Sequence, residues 1–410
     1  MNQTQRTPAS LLSVLALLSA IAPFAIDMYL PAFPQMMLDF DTNATSVQLT
    51  LTTFMLGLAV GQLVIGPLSD QFGRRKPLLI GTVFCLLASI MCALAPSIEA
   101  LIVLRFIQGF SGSAGVVLAR AIISDISRGV QAAKLFSLMM TVGGIAPVVA
   151  PLLGSGVIAG VGWRGVFWVL AGLNLLMIAG AIFLVRETLP RAQRSAGGLK
   201  VLFSNAGKVL GNKVYLGFTL SFAFSMCAMF AYIAASPFVL QNIMGLSTFG
   251  YSLVFTANAV GLTLTSVVSA KLVMRHGPLR LTYIGVGVLL ASTLVLLLVV
   301  LFTDTAAVPT LVLLFIAISS LGLILGNATA LATERVTQYA GSGSALIGAL
   351  QFVLAALASP LVGLAGEHSA VPMGLTMLAA AAIAMLCLLC LTRGAPSLQD
   401  TENDGSSMVK

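Results

Sequence analysis

Charge is what this sequence has least of. Asp, Glu, Lys and Arg make up 8% of its 410 residues, against 58% hydrophobic, whereas a soluble domain carries about a quarter charged residues. Ordinary soluble folding is excluded. With it goes the reading of a net charge of +8 as a footprint for nucleic acid, because the basic residues lie in short loops between apolar runs. Histidine is almost missing, with only His276 and His368 present. The five cysteines, Cys85, Cys92, Cys227, Cys387 and Cys390, all fall inside apolar runs, where a thiol behaves as a small hydrophobe. Cys387-Leu-Leu-Cys390 has neither His nor further Cys to complete a metal or redox centre. No metal and no cofactor is expected. A G-x-x-x-x-G-K-[ST] phosphate loop is also absent, so the chain encodes no ATPase of that kind.

What remains is apolar sequence in lengths that fit a bilayer, which needs about 20 residues per helix. Twelve runs are read at residues 9–31, 47–68, 77–95, 98–123, 133–158, 164–185, 214–235, 249–270, 281–302, 308–331, 344–365 and 371–392. The first is taken as a retained helix, since no cleavage site follows it. Counting Lys and Arg in alternate loops puts 18 of 21 on the side of both termini and only Arg164 on the other. The expected orientation is therefore N-in, C-in.

The longest loop, with six basic residues against Glu187 alone, divides six helices from six. The expected organisation is an N-terminal six-helix bundle (1–185), a basic cytoplasmic linker (186–213), a C-terminal bundle (214–392) and a polar, disordered tail (393–410). A shift of 204 residues brings Leu68, Gly73, Lys76 and Gly81 onto Leu272, Gly277, Arg280 and Gly285, which favours a duplicated unit.

Between the second and third runs lies Gly66-Pro67-Leu68-Ser69-Asp70-Gln71-Phe72-Gly73-Arg74-Arg75-Lys76. Gly73 is expected to supply a positive-φ turn and Gly66 a close helix approach, while Arg74, Arg75 and Lys76 pin the hairpin to the cytoplasmic side. The stretch resembles the G-x-L-x-D-[RK]-x-G-R-[RK] signature of the major facilitator superfamily, with Gln71 where a basic residue is usual. The resemblance implies a transporter fold of two bundles. It also implies a conformational latch between the halves, formed by Gly66, Asp70, Gly73, Arg74 and Arg75.

Charge inside a span costs about 2.5–3.5 kcal/mol on insertion scales, and three residues bear it: Asp27 in the first run and Arg105 and Arg120 in the fourth. Asp27 is the one acid deep in any run, in Ile26-Asp27-Met28-Tyr29-Leu30-Pro31, and Pro23, Pro31 and Pro34 interrupt its helix. It is the expected proton carrier. In the fourth run Arg105, Gln108, Gly109, Gly112, Val116 and Arg120 share one helical face. Arg105-x-x-Gln108-Gly109 resembles the R-x-x-Q-G motif of drug:proton antiporters, which implies a part for Arg105 in proton coupling. The fifth run, from Gly143 through Pro147 and Pro151 to Gly154, resembles the helix-5 antiporter motif, with Ala-Pro where Gly-Pro is usual. Together with Ile26 to Pro31 and Arg186-Glu187-Thr188-Leu189-Pro190, it resembles the bicyclomycin- and chloramphenicol-resistance (Bcr/CflA) branch.

In the seventh run Phe218, Phe222, Ser225, Met229, Tyr232 and Ser236 form one stripe suited to amphiphilic molecules or to plain helix packing. The expected substrate cavity comprises Tyr29, Gln108, Gly112, Arg120, Phe222, Met229, Tyr232 and Asn258. Two catalytic patterns were weighed and set aside. Gly109-Phe110-Ser111-Gly112 has the form of an intramembrane serine protease, yet both histidines lie in loops on opposite sides. Gly160 to Gly165 fits G-x-G-x-x-G but joins two helices. The expectation is a monomeric, multi-pass protein of the bacterial inner membrane. It is expected to export small amphiphilic, drug-like compounds in exchange for protons; metabolite transport on the same fold is the alternative.

Overall fold

The computed structural model describes residues 9–127, 129–194, 204, 206–303, 306–363 and 368–392. The central part of the expected linker and the whole expected tail lie outside the described residues. Twelve helices are long and apolar enough to cross a membrane: Ser10–Asp39, Ala44–Phe72, Arg75–Ala93, Ile98–Ile126, Leu138–Val161, Trp163–Leu184, Lys213–Ile243, Thr248–His276, Pro278–Phe302, Ala307–Glu334, Gly341–Gly363 and Val371–Leu391. They are numbered here as spans 1 to 12. All twelve expected runs are found. Several helices extend past the apolar stretch because polar caps, not hydropathy, end them: the Asn43 side chain accepts from Ser46 N, and Ser97 and Asn212 do the same for spans 4 and 7.

Span 1 is the irregular one. Its first helix ends at Asp27, a 3-10 turn follows at Leu30–Ala32, and a short helix runs from Phe33 to Asp39. Pro31 has no N–H for the Asp27 carbonyl and Pro34 none for that of Leu30, so the helix breaks where the acid sits.

Spans 1 to 6 pack among themselves, as do spans 7 to 12. The halves meet through span 2 against span 11 and span 5 against span 8, and the turn of span 1 touches spans 7 and 8. The repeat read at 204 residues has a structural counterpart. Gly73 and Gly277 end spans 2 and 8 with φ of 91° and 73°, a region that L-residues with a Cβ resist. Gly81 packs on span 4 and Gly285 on span 10.

Hydrogen bonds join the halves at the end remote from both termini. Gln48 donates to the Ala234 carbonyl at 3.0 Å, Ser359 to that of Gln48 at 3.1 Å, Thr45 to that of Gly363 at 2.9 Å and Gln241 to that of Pro31 at 3.1 Å. Ser252 and Thr256 of span 8 donate to the carbonyls of Pro151 and Val148 in span 5. Gly363 permits this closure, since a Cβ there would meet Gln48 Oε1 and Thr45 Oγ1. Gly363→Val should hold that end apart. Spin labels on the loops at 40–43 and 244–247 would then show a longer distance than in the parent, and an unchanged distance would remove Gly363 from the closure.

Candidate functional site

A cavity of about 200 Å³ lies between the halves, below that closure. Span 1 contributes Ala22, Pro23, Ile26 and Asp27, and span 5 contributes Pro147. The opposite wall comes from the second half: Met226, Met229, Phe230, Tyr232 and Ile233 of span 7, then Phe255, Asn258, Ala259 and Leu262 of span 8, with Ile318 and Phe352. Tyr232 and Phe255 stack at 5.8 Å with an interplanar angle of 21°. Asn258 Nδ2 donates to the Tyr232 hydroxyl at 2.7 Å. Asp27 is 4% exposed and lines the cavity without any hydrogen-bond or ion-pair partner among the described residues. The helix break that leaves it there follows directly from Pro31. A buried carboxyl without a partner is a site able to take up and release a proton or to meet a cation.

Arg105 is elsewhere. Its guanidinium is 0% exposed and lies within 4.3 Å of the Tyr29 ring centroid and 4.1 Å of that of Phe54, with Phe167 at 5.7 Å. It donates to Gln108 Oε1 at 2.6 Å and to the Ala25 carbonyl at 2.9 Å. In a continuous helix that carbonyl would bond Tyr29 N–H, but Tyr29 is already in the turn. Arg105 thus caps the first half of span 1 two residues before Asp27, a favourable place for a cation at a helix C-terminus. Gln108 passes the chain on to Ser89 at 2.8 Å, which Asn174 also approaches at 3.4 Å. The direct Asp27–Arg105 partnership is not made.

Five expected cavity residues are relocated with it. Tyr29 is buried, bonded to Thr50 at 3.3 Å and packed on Phe33 and Phe167. Gln108 belongs to the Arg105 network. Gly112 faces Cys85 of span 3. Phe222 is buried in span 7 outside the cavity lining. Arg120 is exposed and too far off. Gly115 packs on the Leu18 carbonyl, Leu18 is nine residues before Asp27, and Arg120 is five beyond Gly115 toward the same end. At 1.5 Å per residue, the two charges lie about 20 Å apart along the axis. The shared face of span 4 was legible as polar, but it serves packing within the first half. Met229, Tyr232 and Asn258 do reach the cavity, as expected. Sequence reasoning missed Ile26, Met226, Phe230, Phe255, Ile318 and Phe352, for an apolar residue in a span reads the same whether it faces lipid or cavity.

In span 5, Pro147 lines the cavity and Pro151 accepts from Ser252. Gly154 is required, as a Cβ there would meet the Met28 carbonyl beside the break in span 1. Gly143 faces open space and makes no close approach. Gly66 likewise has room for a Cβ, with Val117 at 3.7 Å.

The hairpin holds the first half to the segment after span 6. Arg74 binds Asp70 at 2.5 Å, Asp125 at 3.0 Å and Ser69 at 2.7 Å, and Arg75 donates to the Ile182 carbonyl. Glu187 caps span 3: Arg74 N and Arg75 N donate to its two carboxylate oxygens, at 2.8 and 3.4 Å. Arg194 approaches at 3.7 Å. A Cβ at Gly73 would occupy the place of the Glu187 carboxylate, so Gly73 serves both turn and seat. These contacts stay within the first half and the segment after it, not across the halves as the latch expectation had it. Partial burial opposes ionisation of Glu187. The backbone N–H groups of Arg74, Leu189 and Arg75 and the Arg194 charge outweigh it and hold its carboxyl below the usual value. The sign follows: the clip is fully formed above the ordinary glutamate value and is lost as pH falls through the lowered one. Glu187→Gln should speed tryptic cleavage after Arg191 and Arg194 at pH 8 several-fold, and an unchanged rate would deny the clip.

The family model of the Major Facilitator Superfamily matches residues 15–360. An uncharacterized MFS-type transporter of Bacillus subtilis is 37% identical over 96% of this chain and 98% of its own length. A bicyclomycin resistance protein homolog of Haemophilus influenzae is 32% identical over the same shares of each. Among solved structures, a D-xylose-proton symporter superposes with a TM-score of 0.74 at 16% identity, covering 96% of this chain and 99% of that one, a likeness of fold alone. The chain therefore belongs to the Major Facilitator Superfamily, in its bicyclomycin- and chloramphenicol-resistance (Bcr/CflA) branch, and is a multi-pass membrane transporter, not an enzyme.

Proposed function

We propose that the protein exports small amphiphilic drugs in exchange for protons by alternating access, with Asp27 as the proton carrier. The observation that carries the reading is the unpartnered carboxyl of Asp27 in an otherwise apolar cavity between two six-helix halves. With the basic loops in the cytoplasm, the closure near Gly363 faces outward and the structure is the inward-facing state of a bacterial inner-membrane protein. Drug then displaces a proton from Asp27, the halves (1–185 and 214–392) rock about the cavity, and a proton from outside releases the drug. Arg105 acts on this cycle by holding the break in span 1, and the hairpin at Gly66, Asp70, Gly73, Arg74 and Arg75 acts through the linker. The relative named for bicyclomycin resistance supports drugs as the cargo.

The test is drug accumulation in efflux-deficient bacteria expressing the chain, with and without a proton uncoupler. Lower accumulation that the uncoupler abolishes is the expected result. Accumulation that never changes for any amphiphilic drug would return the chain to metabolite transport on the same fold.

A further inference from the structure

The polar groups of the cavity are few and unevenly signed. Of the side chains that line it, Asp27 is acidic and none is basic. The neutral polar pair, Tyr232 and Asn258, bond each other. The remaining lining residues are Ala, Pro, Ile, Leu, Met and Phe. The two in-span arginines supply no positive charge there, since Arg105 is turned into the first half and Arg120 lies toward the termini.

We propose that this cavity selects lipophilic monocations whose charged nitrogen carries at most one N–H: tertiary or quaternary amines on an aromatic or alkyl body. The inference rests on the export reading and narrows its cargo. An anion would meet a lone carboxyl in a low-dielectric pocket with no basic side chain to compensate. A dication would neutralise Asp27 with one charge and leave the other desolvated and unpaired. A primary ammonium fits the charge but brings three N–H donors to a wall that offers one carboxyl. Each donor left unmet on leaving water weakens binding. Methyl groups in their place pack instead on Met226, Met229 and the edges of Phe230 and Phe255, while the positive nitrogen is drawn to aromatic rings. Cation and proton compete for the same oxygens, so the cation form of a drug is the one that displaces the proton.

The experiment is equilibrium binding to the full chain in detergent, by calorimetry at pH 7.5, of a series with one shape. Its members are 6-phenylhexylamine, its N,N-dimethyl and N,N,N-trimethyl derivatives, the uncharged analogue ending in tert-butyl, and 6-phenylhexanoate, with chloramphenicol as a neutral drug control. The dimethyl and trimethyl compounds should bind at least tenfold more tightly than the primary amine and than the tert-butyl analogue, with no detectable binding of the carboxylate. Asp27→Glu should keep that order and Asp27→Asn should level it, while the parent series alone decides the case should Asn not fold. Primary amine or tert-butyl analogue binding as well as the trimethyl compound overturns the inference. Chloramphenicol binding with no cation bound overturns it too but leaves export standing. Binding of neither, by protein whose thermal unfolding shows it intact, overturns both.

Discussion

Asp27→Asn is expected to abolish drug-evoked proton release and export against a gradient while leaving the protein folded. The amide keeps the shape and the hydrogen-bonding capacity of the acid and removes its titration, so it imitates a site that never gives up its proton. Asp27 has no ion-pair partner among the described residues, so its neutralisation strands no buried countercharge. Stability should hold within about 1 kcal/mol or rise. Neutral drug can still bind, because the Met and Phe walls are untouched. Asp27→Glu should retain coupling with a displaced pH optimum, since the longer side chain carries its carboxyl to a different depth. The measurements are proton release from unbuffered detergent solution on drug addition, and efflux from energised cells. If Asp27→Asn released protons and pumped like the parent, the carrier would have to be sought at Asp125 or Glu334.

Arg105→Ala should also stop export, for a different reason. Its guanidinium never faces the cavity, but its removal leaves the Ala25 carbonyl and Gln108 Oε1 without their buried donor and opens space between Tyr29, Phe54 and Phe167. Unmet buried groups cost about 1–3 kcal/mol each, and a desolvated cation–ring contact about 2 kcal/mol. A loss of more than about 3 kcal/mol is expected, with the break at Asp27 loosened. Arg105→Lys should recover part of both stability and transport, because an ammonium can serve one acceptor well but cannot reproduce a planar fork between rings. Positioning and direct pairing are separated by a double-mutant cycle. Asp27→Asn and Arg105→Lys should be additive in unfolding free energy within about 0.5 kcal/mol. The pH midpoint of drug-evoked proton release should stay in place in Arg105→Lys. A coupling well above that limit, or a shifted midpoint, would put the two charges in contact and refute the capping role.

The fold was legible in the sequence, since hydrocarbon leaves few options: twelve runs of bilayer length must be helices, as no other open structure satisfies its backbone there. The 204-residue repeat at Gly73 and Gly277 could be read as well, because a positive φ at a helix end leaves a glycine behind. Asp27 could be singled out by cost alone, and its break by Pro31 and Pro34. The direction in which side chains face could not be read. Arg105, Gln108 and Gly112 occupy one helical face, but whether that face meets a cavity or a neighbouring helix depends on how span 4 is rotated against spans 1, 2 and 3. Periodicity gives the face and not its azimuth. Arg120 was grouped with Asp27 on charge, and only the contact of Gly115 with Leu18 fixed the axial offset that separates them. Glu187 read as one acid in a basic loop until folding set it on the N-terminus of span 3. In water, polarity tells inside from outside. In a membrane protein lipid and core are equally apolar, so composition gives the spans and their breaks, while the cavity wall, Phe255 and Phe352 included, is decided by packing between the halves.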